Sequence, residues 1–333
     1  MIVVTGATGH LGNVLVRQLQ EEGKTVRALV LPSEDCTALN DLGVEIVEGN
    51  VLHPPDLERA FQGAEVVFHL AGMISILPGR DERVWQVNVE GTRNVIRAVQ
   101  RTGVRRMVYT SSIHALERIP EGIIINEQIP FDPQTEISDY DRSKATASLA
   151  VLQAVREEGL DAVIVCPTGI IGPYDFRLSE MGRLIVDILH RKLNFSVDGA
   201  FDFVDVRDVA RGHLLAAEYG RAGEFYILSG EQIKIFQLVN LVKELAGVRT
   251  WIVNVPFKLA AFSAKFTPLL ARISRRQPRF TQYSLQTVRD NSVISSEKAG
   301  RELGYQPRSL SESLADTVRW WMQQFRQGKQ PAG

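Results

Sequence analysis

The first twelve residues, MIVVTGATGHLG, constrain this chain more than any other stretch. Ile2-Val3-Val4 has the length and composition of a buried parallel strand. Gly6, Gly9 and Gly12 follow, and the amphipathic segment Asn13 to Glu22 carries Val14, Leu15 and Leu19. Strand, glycine turn and helix in that order are the context a dinucleotide site requires. Gly6 would permit the tight turn, Gly9 would let backbone approach a pyrophosphate, and Gly12 would let the helix pack close to the strand. The phosphates would then lie at the helix N-terminus, where unpaired N–H groups and the helix dipole favour an anion.

The same alternation continues along the chain. Thr25–Leu31, Val44–Glu48, Val66–Leu70, Arg106–Thr110 and Ala162–Val165 read as strands. Leu57–Phe61, Val84–Thr102 and Tyr140–Glu158 read as helices, the last with Leu149, Leu152 and Val155 on one side. This rhythm predicts an α/β fold with a doubly wound parallel sheet. Ligands on such sheets sit beyond the carboxyl ends of the strands. Asn50, Ala71-Gly72, Ser111-Ser112 and Pro167-Thr168-Gly169 fall there.

After Gly172 the pattern changes. Pro173–Asn194 reads as loop then helix, Val204–Tyr219 as a helix capped by Asp205 or Asp208, Phe225–Leu228 as a strand and Ile235–Ala246 as a helix. Residues 251–280 are apolar but broken by Pro256, Pro268 and Pro278, and carry Arg272, Arg275 and Arg276, read as a solvated face. Ser311–Arg326 reads as a closing helix with Trp320 and Trp321.

Composition narrows the function classes. A formal net charge of −1 gives no electrostatic case for nucleic acid or an anionic membrane surface. No apolar run has the length of a membrane span. Two cysteines, Cys36 and Cys166, make neither a disulfide framework nor a metal site, so a reducing, cytoplasmic setting is expected. The strand at Met1 leads us to expect no preceding signal segment.

Tyr140-Asp141-Arg142-Ser143-Lys144 is the stretch that points to chemistry. Tyr and Lys four apart share a helix face. A phenol titrates near pH 10, so it is a poor acid–base group at neutral pH. A neighbouring ammonium would favour the phenolate and lower that value. Ser112, just beyond the fifth strand, would stand beside the helix start and could hydrogen-bond a reacting oxygen.

These motifs together resemble the extended short-chain dehydrogenase/reductases, the group that includes NAD-dependent epimerase/dehydratases, 3β-hydroxysteroid dehydrogenases and dihydroflavonol-reductase-like enzymes. The resemblance runs through GATGHLG at 6–12, HLAG at 69–72, VNVEGT around Asn88, YTSS at 109–112, YDRSK at 140–144, PTGIIGP at 167–173, FVDVRDVARGH at 203–213 and ELGYQPRSLSESLADTVRWW at 302–321. It implies a Rossmann-type NAD(P)-binding domain over residues 1–169, with 195–230 returning to it. A smaller C-terminal substrate-binding cap would come from 170–194 and 231–333. It also implies a homodimer through the helices at 84–102 and 140–158.

Carried over to this chain, the resemblance implies hydride transfer with a small-molecule substrate. Tyr140 would exchange the proton, Lys144 would lower its pKa and bind the nicotinamide ribose, and Ser112 would hold the substrate oxygen. Gly6, Thr8, Gly9, His10, Leu11 and Gly12 would cradle the cofactor. Asn50 (where the family usually has Asp) and Val51 would flank the adenine, and Leu70, Ala71 and Gly72 would line the site. Ser111, Pro167, Gly169 and Ile170 would face the nicotinamide. Asn88 would serve either the cofactor or the backbone around it. Met73, Ile74, Ile76, His114 and Tyr174 are the candidates for the substrate side.

Two departures bear on function. Sugar-nucleotide epimerases usually carry VYG after the paired serines and Asn before the later GP; this chain has Ile113-His114-Ala115-Leu116 and Thr168-Gly169-Ile170-Ile171. The apolar stretch VPFKLAAFSAKFTPLL, at 255–270, looks like the cap of the steroid-dehydrogenase and dihydroflavonol-reductase-like branch. The expected activity is therefore interconversion of a ketone or aldehyde and an alcohol on a fairly apolar molecule. A nucleotide-sugar epimerase/dehydratase and a non-catalytic NAD(P)-binding sensor are the alternatives. The second departure is Val30-Leu31-Pro32-Ser33, which offers neither the acid expected for NAD nor the cation expected for NADP. Arg27 and His10 are the substitutes within reach, and NAD and NADP both stay open.

Overall fold

The computed structural model describes residues 1–75, 81–192, 195–257, 259, 282–289 and 293–328. Ile76, the arginines at 272, 275 and 276, and most of the apolar stretch at 255–270 lie outside the described residues.

The central sheet uses β1 (Ile2–Thr5), β2 (Val26–Val30), β3 (Glu45–Glu48), β4 (Val66–His69), β5 (Arg106–Thr110), β6 (Ala162–Pro167) and β10 (Phe225–Leu228). All seven pair in parallel, in the order β10-β6-β5-β4-β1-β2-β3. Apolar clusters form on both faces, so β4 and β6 are buried at every residue. That is why they read as apolar runs without alternation. On one face pack α1 (His10–Glu21) and α7 (Val206–Tyr219), through Leu15, Val16 and Leu214. On the other pack α2 (Pro54–Phe61), α4 (Gly91–Thr102) and α5 (Asp139–Glu158), through Phe61, Val95 and Val151. The strand order reverses at β1, which lies between β2 and β4. The crevice above that reversal is where such sheets bind ligands.

Three expectations need correction. The buried face of α5 is Tyr140, Lys144, Ala147, Ser148, Val151 and Ala154; Leu149 is exposed, and Leu152 and Val155 are only half-buried. Small residues win the inner face because the helix lies close to the sheet. The segment read as one helix from Val204 is split: Ala200–Asp205 is β9, and α7 begins at Val206 with the Asp205 carboxylate accepting from the Arg207 N–H as its cap. The helix expected over 84–102 begins at α3 (Glu82–Trp85) and passes through a π turn at Gln86–Glu90 before α4.

A second layer carries its own apolar core. β7 (Gly169–Ile171), β9 and β11 (Glu231–Lys234) form a three-stranded sheet, and β8 (Phe195–Val197) pairs with β12 (Val253–Val255). α6 (Glu180–Leu189), α8 (Ile235–Ala246) and the closing helix meet around Ile185, Leu238, Leu314 and Trp321. Within residues 195–230, α7 and β10 rejoin the central sheet, while β9 pairs in the small one. α9 (Gln282–Arg289), α10 (Glu297–Leu303) and α11 (Leu310–Arg326) complete the described chain. No helix among the described residues is long and apolar enough to cross a membrane.

Two buried histidines tie helices to strand ends. His213 of α7 donates from Nδ1 to the Val209 carbonyl, so its Nε2 accepts from the Thr110 hydroxyl at 2.8 Å. His69, at the end of β4, bridges Thr5 and Thr92. Burial pushes His69 down to about 3 and His213 down to about 4, from an ordinary value of 6.5. Between those values and pH 6.5 the unfolded chain binds more protons, so these groups give full stability above pH 6.5 and lose it as pH falls. The melting temperature should therefore decline from pH 6.5 to 4.5. In a His213→Gln variant that decline should flatten, with the pH slope of the unfolding free energy reduced by up to about 1.4 kcal/mol per pH unit. Identical slopes in thermal melts of the two proteins would contradict a neutral His213.

Candidate active site

The glycine turn fits a dinucleotide, and its three glycines divide the work. Gly6 sits at φ +71°, and a Cβ there would lie 2.7 Å from the Ala71 nitrogen. A Cβ at Gly12 would lie 2.1 Å from the Gly6 oxygen. Those two positions are dictated by packing of β1, β4 and α1. A Cβ at Gly9 would meet only the Gly6 oxygen, at 3.3 Å, so its free side faces open space. Gly9 is also the N-cap of α1, with no side-chain cap and no acid in the first turn. The leading N–H groups of α1 are thus left for an anion.

Behind this turn runs an oriented chain of buried hydrogen bonds. The Ala71 N–H donates to Thr5 Oγ1 at 3.1 Å, and Thr92 Oγ1 donates to the Asn88 carbonyl at 2.6 Å. With the Thr92 proton so used, His69 Nε2 must donate to Thr92, and Nδ1 must accept from Thr5 at 2.8 Å. Protonating His69 would break this order, which agrees with its lowered pKa. Asn88 extends the chain from the π turn: its Nδ2 donates to the Met73 carbonyl and to Ser143 Oγ, and its Oδ1 accepts from the Met73 N–H. Ser143 Oγ in turn donates to the Tyr140 carbonyl. Of the two roles expected for Asn88, its amide is taken up by the backbone one. Asn88 clamps the Gly72–Met73 loop to α5.

Tyr140, Lys144 and Ser112 are all buried and converge from the start of α5 and the end of β5. Lys144 Nζ donates to the Thr110 carbonyl at 2.7 Å and lies 5.1 Å from the centroid of the Tyr109 ring. Gly72 makes room for it, since a Cβ there would stand 3.3 Å from Nζ. Burial brings the ammonium down to about 8. Burial also pushes the Tyr140 phenol up to about 12, with the Ser112 hydroxyl opposing and the Asp141 carboxylate adding to the rise. The expected lowering of the phenol by Lys144 is therefore absent in this arrangement. The ammonium is engaged by Thr110, and loss of hydration outweighs the remaining attractions. At neutral pH the site holds a protonated phenol beside a mostly charged amine.

The wall next to Ser112 is aromatic. The His114 N–H donates to Ser112 Oγ, its ring stacks on Phe201 with centroids 5.6 Å apart, and Tyr283 of α9 tilts against it at 6.2 Å. Tyr283 donates its hydroxyl to Asp141 at 2.8 Å, and Arg118 pairs with the other Asp141 oxygen. Burial lowers the His114 pKa, keeping the ring neutral. A small recess opens here, lined by Ile113, His114, Leu116, Ile125, Phe201 and Ile294, with Glu117, Arg118 and Thr287 at its edge. The sequence reading passed over Asp141 as a spacer within YDRSK. It had no signal for Tyr283, which arrives from the far end of the chain.

Other expected residues are placed as follows. The Thr8 hydroxyl donates to Glu34 at 2.9 Å, and His10 Nε2 meets the Pro173 carbonyl. His10 is thus engaged with the cap segment, and Arg27 with Glu45 and the end of α2. The Asn50 side chain accepts from the Leu52 N–H, and Val51 packs under Gly91. Leu11 is buried; Leu70 and Ala71 are half-buried at the crevice. Ser111 is buried, and its hydroxyl is bonded to that of Ser148 at 2.7 Å. Pro167 ends β6, and Gly169 and Ile170 lie in β7 against Phe203 and Val204. Ile74 is largely exposed. The Tyr174 ring lies under the Arg17 guanidinium and beside Phe176 and Trp320, at the junction of α1 with the second layer. Among the described residues no cluster of His, Cys, Asp or Glu could hold a metal ion.

Residues 2–229 match the NAD dependent epimerase/dehydratase family. The chain is 40% identical to sterol demethylase protein B of Methylococcus capsulatus, over 96% of this chain and 97% of that one. It is 30% identical to a 4-hydroxy-2-methyl-3-oxo-4-farnesyl-3,4-dihydroquinoline-1-oxide ketoreductase of Stigmatella aurantiaca, over 95% of each. Among solved structures it resembles gox2253, with a TM-score of 0.86 and 35% identity over 98% of this chain and 99% of that one.

The glycine geometry separates two kinds of substitution. Gly9→Ala should fold with an almost unchanged melting temperature yet bind a nicotinamide dinucleotide at least about tenfold more weakly. Gly12→Ala should lower the melting temperature outright, because backbone must move to admit the methyl. Melting curves with titration of each variant check this, and equal destabilisation by the two would contradict it.

Proposed function

The chain belongs to the NAD-dependent epimerase/dehydratase family, as a dehydrogenase/reductase of the extended short-chain type using a nicotinamide cofactor, and from that premise we propose that it reduces a ketone, or oxidises the matching alcohol, on a fairly apolar small molecule. The observation that carries this reading is the convergence of Tyr140, Ser112 and Lys144 beside an apolar recess. The cofactor, when bound, supplies or takes up the hydride. Gly6, Gly9, Gly12 and the first turn of α1 would hold its pyrophosphate, and the Leu70–Gly72 edge would line its path.

The chain's own residues then handle the oxygen and its proton. The Ser112 hydroxyl orients the carbonyl oxygen. Tyr140, protonated at neutral pH, donates the proton as negative charge develops on that oxygen. Lys144, fixed by Thr110, sets a positive charge at the floor of the crevice that stabilises the negative charge left when Tyr140 gives up its proton. In the alcohol-oxidising direction Tyr140 must first be deprotonated, and it then accepts the proton of the substrate hydroxyl.

The apolar character of the substrate rests on Ile113, Leu116, Ile125, Phe201 and Ile294 along the recess. It is in keeping with relatives whose names refer to a sterol and to a farnesylated dihydroquinoline. Tyr140→Phe tests the reading with a sterol ketone as hydride acceptor and UDP-glucose as the rival substrate. The variant should keep its dinucleotide affinity within about threefold while turnover of the ketone falls about 10²- to 10⁴-fold. Full turnover by the variant would remove Tyr140 from the chemistry, and epimerisation of UDP-glucose by the native chain would replace this reading with the epimerase one.

A further inference from the structure

Asp141 follows the proton donor in the chain, and it is almost wholly buried, at 1% exposure. Its N–H donates to the capping Ser138 hydroxyl at 3.0 Å, so it belongs to the same first turn of α5 as Tyr140. Its two carboxylate oxygens are answered from distant parts of the chain. Oδ2 pairs with Arg118 at 3.1 Å, from the segment that follows Ser112. Oδ1 accepts from the Tyr283 hydroxyl at 2.8 Å, from the first turn of α9. α9 is seated by Leu285, which is buried with Val197 and packed by Val255 and Phe257. The Tyr283 ring also leans on His114, whose N–H donates to Ser112 Oγ. A single residue from the C-terminal part of the chain therefore touches the neighbours of both groups that handle the substrate oxygen.

A bare carboxylate beside Tyr140 would work against proton transfer. The phenol turns negative as it gives up its proton, and a second negative charge next to it opposes that change. Arg118 and Tyr283 draw the charge of Asp141 toward themselves through charge-assisted hydrogen bonds. Burial keeps the Tyr283 phenol protonated, so it is the donor in its bond. The other titratable groups around Tyr140 are Lys144 on its own helix and Tyr109 and Cys166 from β5 and β6; His114 and Arg118 face Asp141. Burial holds Tyr109 and Cys166 neutral, which leaves Asp141 as the anion next to the phenol among the described residues.

We propose that Tyr283 is a positioning residue for proton transfer: by donating to Asp141 it fixes the turn that carries Tyr140 and offsets the negative charge beside the phenol, which makes the seating of α9 part of the active site. The inference rests on the reading of Tyr140 as the group that exchanges the proton.

Steady-state oxidation of a 3-hydroxysteroid, with NAD and with NADP, tests this on the native chain, on Tyr283→Phe and on Asp141→Asn between about pH 6 and 9. Phenylalanine keeps the ring against His114 and removes only the hydroxyl. Melting curves and calorimetric titration of the dinucleotide check that each variant is folded and binds its cofactor. In this direction Tyr140 acts as the phenolate, so the rate rises with pH. Tyr283→Phe leaves more of the Asp141 charge beside the phenol. The rising limb should move to higher pH, and kcat at neutral pH should fall about tenfold with KM within about threefold. Asp141→Asn removes the charge, so the limb should move to lower pH and kcat at neutral pH should rise about threefold or more. A bond that only staples α9 would lower the rate in both variants and leave the limb in place. That result, or native kinetics in Tyr283→Phe, would overturn the proposal while leaving Tyr140 as the proton carrier; Tyr283→Phe alone decides the matter if Asp141→Asn does not fold. Native turnover by Tyr140→Phe, or no alcohol oxidation by the native chain, would overturn both.

Discussion

The site depends on one buried, fully oriented relay of hydrogen bonds: Ala71 to Thr5, Thr5 to His69, His69 to Thr92, and Thr92 to Asn88. Each member has its proton direction fixed by the next, so the relay has one low-energy arrangement. It locks the carboxyl ends of β1 and β4, where Gly6 approaches Ala71 too closely for any side chain. Through Asn88 and Ser143 it reaches the Tyr140 carbonyl. The pyrophosphate turn, the Gly72 edge and the helix bearing the proton donor are thereby set relative to one another by groups that touch no ligand. The π turn around Asn88 is part of this arrangement, since it sets the amide into the loop at Met73. Such turns recur near functional sites.

The electrostatics follow from the same burial. Lys144 and Tyr140 are removed from water on the floor of the crevice, and each is pushed toward its neutral form. A buried ammonium held by a single carbonyl and an aromatic face is a cost the fold carries at this place for the sake of its chemistry. The charged pairs that do support the fold lie elsewhere. Asp205 and Asp208 at the start of α7 engage Arg207 and Arg308, which ties the second layer and the closing helix to the central sheet.

Much of this was legible in the sequence because it is local. The glycine spacing, the Tyr–Lys pair and the apolar runs of β1, β4, β5 and β6 each follow from a few consecutive residues. What was not legible depends on the third dimension. Val30-Leu31-Pro32-Ser33 does not reveal the left-handed Ser33, which turns the Glu34 side chain back onto the strand end. The start of α7 was misread because Phe201 and Phe203 belong to a short strand of the second sheet. Nothing in the segments around Ser111 and Asn88 reveals Ser148 or Met73 as their hydrogen-bond partners. Leu149, Leu152 and Val155 outweighed alanine and serine in the reading of α5, although small residues are what close helix–sheet packing selects.

The central claim is that the crevice above β1 and β4 brings a hydride donor to a carbonyl held by Ser112 and Tyr140. It is tested most directly by following the hydride. The protein is supplied with NADH and NADPH deuterated at the transferring position of the nicotinamide and with a sterol ketone, and the product is analysed by NMR. The account predicts an alcohol carrying deuterium on the former carbonyl carbon, at one of its two faces only. Product without deuterium at that carbon, or consumption of neither nucleotide, would contradict it.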